Sequence, residues 1–241
     1  MRLRYAAFTS PGREDRRNED AVVAEVDLGL FAVADGVGRT VHAAEAARTA
    51  LAGLRAGLLD GAAPPPGDTA WDRARLIAGV QEAHRRVRAL AEERGGSAAA
   101  TLLAAWVVRG WVTFAHVGDG AAWLWRETVL ERVCGTDPGD LATAGVVRDR
   151  LHRAEAGLLQ AIGVDDRPVE PRIVSHRWRP GDWLLLATDG VVDRLSEAAI
   201  ANRLVEAARR RNPASVPEAL VRSALAAGAR DDCTVLVAWR P

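Results

Sequence analysis

Five apolar residues run unbroken from Leu30 to Ala34 and stop at an acid and a glycine, Asp35-Gly36. A run this short does not span a membrane. It reads as a strand buried on both faces, which commits the chain to a sheet covered on both sides. Asp20 to Val26 is a second strand-like run, separated from the first by Asp27, Leu28 and Gly29, and the pair has the spacing of a hairpin. Folding about a turn centred near Asp27-Leu28 places Asp20 opposite Asp35 or Gly36, with side chains within about 5–6 Å. Two carboxylates that close repel each other unless a proton or a cation lies between them.

The rest of the chain supplies the layers. Arg2 to Phe8 alternates as a strand and leads into a polar loop, Thr9 to Asn18. Thr40 to Leu59 and Trp71 to Glu93 carry apolar residues at helical spacing, divided by the proline-rich stretch Gly61 to Gly67. Thr101 to Val108, Trp111 to Val117 and Ala121 to Arg126, extended by Val129 to Val133, read as a β-meander with Asp119 at a hairpin tip. Thr136 to Asp149 has no clear period and is expected to be a mobile flap; Leu151 to Ile162 is expected to be a short helix. Val169 to Trp178 and Trp183 to Thr188 are strands, Ser196 caps a helix to Arg211, and Val216 to Ala227 is another helix. Cys233 to Trp239 closes the chain as a buried strand. Two consecutive helices after strands point to α+β layering rather than strict βαβ alternation. The tryptophans at 106, 111, 123, 125, 178 and 183 are expected to fill an inter-sheet core or its margins.

Composition mainly excludes. The 241 residues hold 32 basic and 32 acidic side chains, a balance that favours neither nucleic acid nor an anionic membrane. Every basic residue is arginine, so a Walker A lysine, a Schiff-base lysine and a kinase-type ATP lysine are all ruled out. Cys134 and Cys233 stand far apart with no Cys/His cluster, as expected of two thiols in a reducing compartment. Without a signal-like apolar core or an 18-residue apolar run, the expectation is a single domain over 1–241 in the cytoplasm.

The acids share one property. Asp20 begins a strand and Asp35 ends one, Asp119 lies at a turn, Asp189-Gly190 ends the run from Trp183, and Asp231-Asp232 precedes the last strand. Aspartate and glycine are common turn residues, so no single pair carries the signal; the conjunction does. Antiparallel alternation permits all of them to share one rim. Oxygen ligands without clustered His or Cys suit a hard cation, Mg²⁺ or Mn²⁺. Two such ions about 3.5–4 Å apart can share an aspartate and a hydroxide, which becomes the nucleophile for in-line attack on phosphorus.

These residues resemble the type 2C, metal-dependent serine/threonine protein phosphatases, the shorter bacterial-type members above all. The likeness runs in order through Asn18-Glu19-Asp20, Asp35-Gly36-Val37-Gly38, Ala100-Thr101-Leu102, Val117-Gly118-Asp119, Leu158-Leu159-Gln160-Ala161-Ile162-Gly163, Ala187-Thr188-Asp189-Gly190-Val191-Val192-Asp193 and Asp231-Asp232-Cys233-Thr234-Val235. It implies a four-layer α/β/β/α sandwich, two central antiparallel sheets flanked by helices, with two Mn²⁺ or Mg²⁺ ions in a cleft at the sheet rim. Carried over residue by residue, Asp35 bridges both metals and the Gly36 carbonyl binds one. Asp189 and Asp231 bind the other, and Glu19 and Asp20 act mostly through water. Asp119, Asp189 and Asp193 match the third metal site of many members. The activity implied is hydrolysis of phosphoserine or phosphothreonine on proteins, with phosphorylated proteins and an opposing Ser/Thr kinase as partners and no nucleic acid or membrane.

Three departures stand out. The family usually holds the substrate phosphate with an arginine five residues before the aspartate of the Asn-Glu-Asp motif, and here that position is Asp15. Arg39 stands where Gly is common, and Gly120 where a serine often follows the aspartate. Arg13 or Arg16 is expected to take over the phosphate contact, since a guanidinium fork matches phosphate geometry; a solvated basic loop is the other reading. His116 is expected to be packed or at the rim, and His42, His84, His152 and His176 carry no ligand spacing. Two rivals to the enzyme reading are a catalytically weak homologue that binds a phosphoprotein or kinase, and a hydrolase of small phosphoesters.

Overall fold

The computed structural model describes residues 3–13, 17–37, 42–60, 69–96, 98–135, 161–164 and 166–241. In chain order the first strands are β1 (Arg4–Ser10), β2 (Ala21–Glu25), β3 (Leu30–Ala34) and the two-residue β4 (Gly36–Val37). Helices α1 (Ala43–Leu59) and α2 (Thr69–Glu93) follow. Then come β5 (Ala99–Ala100), β6 (Leu102–Val108), β7 (Trp111–Val117), β8 (Ala121–Arg126), β9 (Val129–Cys134), β10 (Arg172–Arg177) and β11 (Trp183–Ala187). Three helices, α3 (Asp189–Val192), α4 (Glu197–Arg210) and α5 (Val216–Ala226), precede the last strand, β12 (Cys233–Trp239).

The strands form two five-stranded sheets, β1-β12-β11-β8-β9 and β10-β7-β6-β3-β2, with β4 and β5 pairing apart from both. Every pairing is antiparallel. The two-residue side-chain period decides which layer each residue joins. On β3, Leu30, Ala32 and Ala34 pack with Leu51, Leu54, Leu76 and Val80 of α1 and α2. Phe31 and Val33 point the other way, into a core shared with Leu124, Leu184, Leu186 and Leu236 of the opposite sheet. On β11, Leu184 and Leu186 face that shared core, while Trp183 and Leu185 meet Ile200, Leu204, Val216 and Leu220 of α4 and α5. Continuous apolar runs are thus what strands of a helix-sheet-sheet-helix sandwich require, since both of their faces are covered. At about 25 cal/mol per Å² of apolar surface, each fully buried leucine contributes roughly 2 kcal/mol. The Ser196 hydroxyl caps α4 as expected, accepting from the Ala199 N–H at 3.3 Å.

Three expectations change. The run from Thr101 to Arg126 is not one meander: β6 and β7 pair in one sheet, whereas β8 belongs to the other. Because β7 is already flanked by β6 and β10, no edge remains for β8, and Asp119 sits on a crossing between sheets rather than on a hairpin tip. The tryptophans also differ. Trp123, Trp125, Trp183 and Trp239 lie in the outer core under α3, α4 and α5, Trp106 lies under α1 and α2, and Trp178 alone among the named residues enters the inter-sheet core. Strand alternation sets this. Ile162 forms a bridge with Ala100 rather than ending a helix. The expected flap, Thr136 to Asp149, and the remainder of that expected helix, 151–160, fall outside the described residues, as do Asp15, Arg16, Gly38 and Arg39.

Candidate metal centre

The register Ala21 opposite Ala34 continues past the strand ends. The Gly36 N–H donates to the Glu19 carbonyl at 3.2 Å, which sets Asp20 across from Asp35. Thr101 fixes Asp35 from the other side: the Asp35 N–H donates to Thr101 Oγ1 at 2.9 Å, and the Thr101 N–H donates to the Asp35 carbonyl at 2.8 Å. Gly118, at φ 114°, leaves the room for this, because a Cβ there would come within 2.7 Å of the Thr101 side chain. From the second sheet, Asp189 opens the single turn α3 directly after Thr188, and Asp193 closes it, its N–H donating to the Asp189 carbonyl at 2.8 Å.

Six expected acids come together in one electrostatic neighbourhood. Burial, followed by the charges of Asp20, Asp189, Asp119 and Asp231, holds the Asp35 carboxyl well above the usual carboxylate range. Burial, with Asp119, Asp231, Asp20 and Asp193 around it, pushes Asp189 up to about 8. Asp20 is pushed up to about 7 by burial, against the opposing pull of hydrogen bonds from Thr234 and Thr188. Asp20 and Asp189 are only half-buried as residues; it is their Oδ1 atoms that are closed to solvent, and neither has a hydrogen-bond partner. Spare anionic oxygens facing like charges are what a divalent cation would satisfy, so the donor set fits a hard metal. Among the described residues no three His, Cys, Asp or Glu side chains stand grouped closely enough to hold an ion by themselves.

Glu19 joins the rim through its backbone. Its N–H donates to Asp232 Oδ2 at 2.6 Å, while Asp232 Oδ1 accepts from the Gly12 N–H at 3.1 Å. Asp232 is buried and pins both ends of the loop that carries Arg13 to the residue after Asp231. Sequence reasoning assigned it no role; an acid doubled beside an expected ligand was the available signal. Arg13 is exposed next to that clamp, and Arg16 lies outside the described residues. Gly120 packs against β11: a Cβ there would come within 2.8 Å of the Ala187 carbonyl oxygen, so the missing serine side chain reflects close contact between β11 and the crossing loop.

His116 and His84 follow their expected roles, and His152 lies outside the described residues. His116 is buried, and burial together with the Arg172 charge pulls it down to about 4, so it is neutral. His84 is buried in α2, where its Nδ1 accepts from the Gly163 N–H at 3.0 Å. Burial pushes the Cys134 and Cys233 thiols up to about 12, as inert core residues require.

A two-sheet sandwich with carboxylates gathered at the strand ends of both sheets is the architecture of a protein that holds hard divalent cations at a sheet rim. The family model described as protein phosphatase 2C matches residues 9–225. The chain belongs to the protein phosphatase 2C family, and its two antiparallel sheets flanked by helices are that family's fold. The serine/threonine protein phosphatase PstP of Mycobacterium tuberculosis is 30% identical over 244 residues, a match covering 98% of this chain and 45% of PstP. The chain thus spans about half the length of the curated relatives it matches. The solved catalytic domain of PstP, in complex with two manganese ions, is 30% identical with a TM-score of 0.78, covering 98% of this chain and 97% of that one. The phosphatase MsPP of Mycobacterium smegmatis, in complex with cacodylate, is 29% identical with a TM-score of 0.76, covering 99% of this chain and 98% of that one.

Proposed function

We propose that the protein is a metal-dependent phosphatase that hydrolyses phosphoserine or phosphothreonine on proteins, with 1–241 as its catalytic domain. The observation that carries this reading is the pair of buried, partnerless Oδ1 atoms of Asp20 and Asp189 within a field of like charges. Family membership and the manganese-bound relative support it. Asp35, the Gly36 carbonyl, Asp189 and Asp231 would hold two Mn²⁺ or Mg²⁺ ions, with Glu19 and Asp20 contributing through water and Asp119 and Asp193 available to a third. When bound, such ions supply positive charge to the phosphoryl oxygens and acidify an attacking water. Arg13 or Arg16, in the segment whose ends Asp232 clamps, orients the substrate phosphate by its guanidinium fork. With Cys134 and Cys233 protonated and His116 neutral and buried, no protein nucleophile is assigned.

Bacterial signalling opposite a Ser/Thr kinase in the cytoplasm is the setting we assign; among the described residues no helix is long and apolar enough to cross a membrane. The test is hydrolysis of a small aryl phosphate with Mn²⁺, with and without Asp189→Asn, followed by phosphopeptides. Turnover that needs Mn²⁺, disappears in the variant and extends to phosphoserine or phosphothreonine peptides supports the reading. Absence of turnover in the wild type points instead to a binding homologue, and rejection of the peptides points to a small-phosphoester hydrolase.

A further inference from the structure

Asp20 belongs to one sheet, and the groups that hold it belong to the other. Thr188 follows β11 and Thr234 is the second residue of β12, yet both hydroxyls reach Asp20 Oδ2, at 2.9 Å and 2.6 Å. Both threonines are buried, at 2% and 0% exposure, so no water competes for these contacts. The proton directions follow from the surrounding bonds. Thr188 Oγ1 accepts the Thr234 N–H at 2.9 Å, which turns its own hydrogen toward Asp20. Thr234 Oγ1 lies 2.7 Å from Thr9 Oγ1, and Thr9 Oγ1 accepts from Asn18 Nδ2 at 2.8 Å. Thr234 is oriented as a donor toward both Thr9 Oγ1 and Asp20 Oδ2, and its one hydrogen goes to the carboxylate, the stronger acceptor. Two hydroxyls donate to Oδ2, while Oδ1 of the same carboxylate, closed to solvent, has no partner.

We infer that Thr188 and Thr234 are positioning residues for the metal site: two hydroxyls of one sheet fix one oxygen of Asp20 across the sandwich and so present its other oxygen to a divalent cation or to that cation's water. The inference rests on the proposed metal role of Asp20. Groups one contact removed from a ligand fix its orientation, and their loss typically weakens metal binding about 10–100-fold. The arrangement also makes the site a joint product of both sheets, since Asp20 is oriented only when β11 and β12 lie against the start of β2.

The experiment is calorimetric titration of the protein with Mn²⁺, with folding checked by circular dichroism in chelator. Thr188→Val and Thr234→Val are each expected to weaken Mn²⁺ binding at least ~10-fold, whereas Thr188→Ser and Thr234→Ser, which keep the hydroxyl, stay within ~3-fold of wild type. In an Asp20→Asn background the valine changes are expected to add nothing, because they act through that carboxylate. Alanine serves where valine does not fold, with the same outcomes. Folded valine variants that bind Mn²⁺ as wild type does, or that weaken Asp20→Asn further by their full single-variant amount, overturn the inference while the metal reading stands. Wild-type protein that binds no Mn²⁺, or binding unchanged by Asp35→Asn, overturns both.

Discussion

Crowding carboxylates at one rim carries a cost that is measurable when no cation is bound. Asp189 stands at about 8 against an ordinary 3.8, and Asp20 and Asp35 are displaced the same way. A carboxyl raised in the folded state contributes stability that is fully present below its unfolded value and lost as pH rises through its folded one. The chelated protein is therefore expected to lose stability between about pH 4 and pH 8. At about 1.4 kcal/mol per pH unit, four units at Asp189 set a ceiling of about 6 kcal/mol. The acids share one field and Asp189 is half-exposed, so the relief from removing it alone is on the order of 2–4 kcal/mol. Asp189→Asn keeps the shape and deletes the charge. Urea unfolding in chelator is expected to show the variant more stable than wild type at pH 8, by a midpoint shift of about 1 M, and little different at pH 4.5. Adding Mn²⁺ is expected to raise the wild-type midpoint at pH 8 and leave that of the variant nearly unchanged. A variant no more stable than wild type at pH 8 in chelator would refute the argument that charge crowding defines this rim.

Other expectations follow from single contacts. Asp232→Ala strands the Gly12 and Glu19 N–H groups, which is expected to cost about 2–4 kcal/mol in urea unfolding and to raise KM for an aryl phosphate more than it lowers kcat, because the loop bearing Arg13 loosens; an unchanged KM counts against that loop's role. Gly118→Ala combines φ 114° with a 2.7 Å clash on Thr101 and is expected to cost at least ~2 kcal/mol together with most of the Mn²⁺-dependent turnover, measured side by side. Since His116 is pulled down in the folded state, its contribution to stability is present above its ordinary pKa of 6.5 and lost as pH falls toward about 4; wild type is expected to lose more stability than His116→Gln over that interval, and equal losses refute its burial as a neutral base.

Much of the architecture was legible because strand period and strand ends are local properties. LFAVA stopping at Asp35 and WLLLA stopping just before Thr188-Asp189 announced doubly covered strands with acids at their ends, and the register of the first hairpin followed from a turn about Asp27-Leu28. The path at Gly118-Asp119-Gly120 is not legible for an equally physical reason: a turn signal does not say whether the next strand pairs with its predecessor or crosses to another sheet. The occupied flanks of β7 decide that. The tryptophans show the same limit, since periodicity puts Trp123 and Trp125 on one face of their strand without saying whether helices or a second sheet cover it.

The sequence by itself determined which acids stand at strand ends, the absence of any lysine chemistry, and a hard-cation donor set, because residue type and local spacing carry that information. Only the tertiary structure decided that Asp232 clamps both ends of the Arg13 loop and that Thr188 and Thr234 grip Asp20 across the sandwich. Those contacts join residues 168 to 220 positions apart, and hydrogen bonds at such separations exist only after both sheets have packed on their shared core.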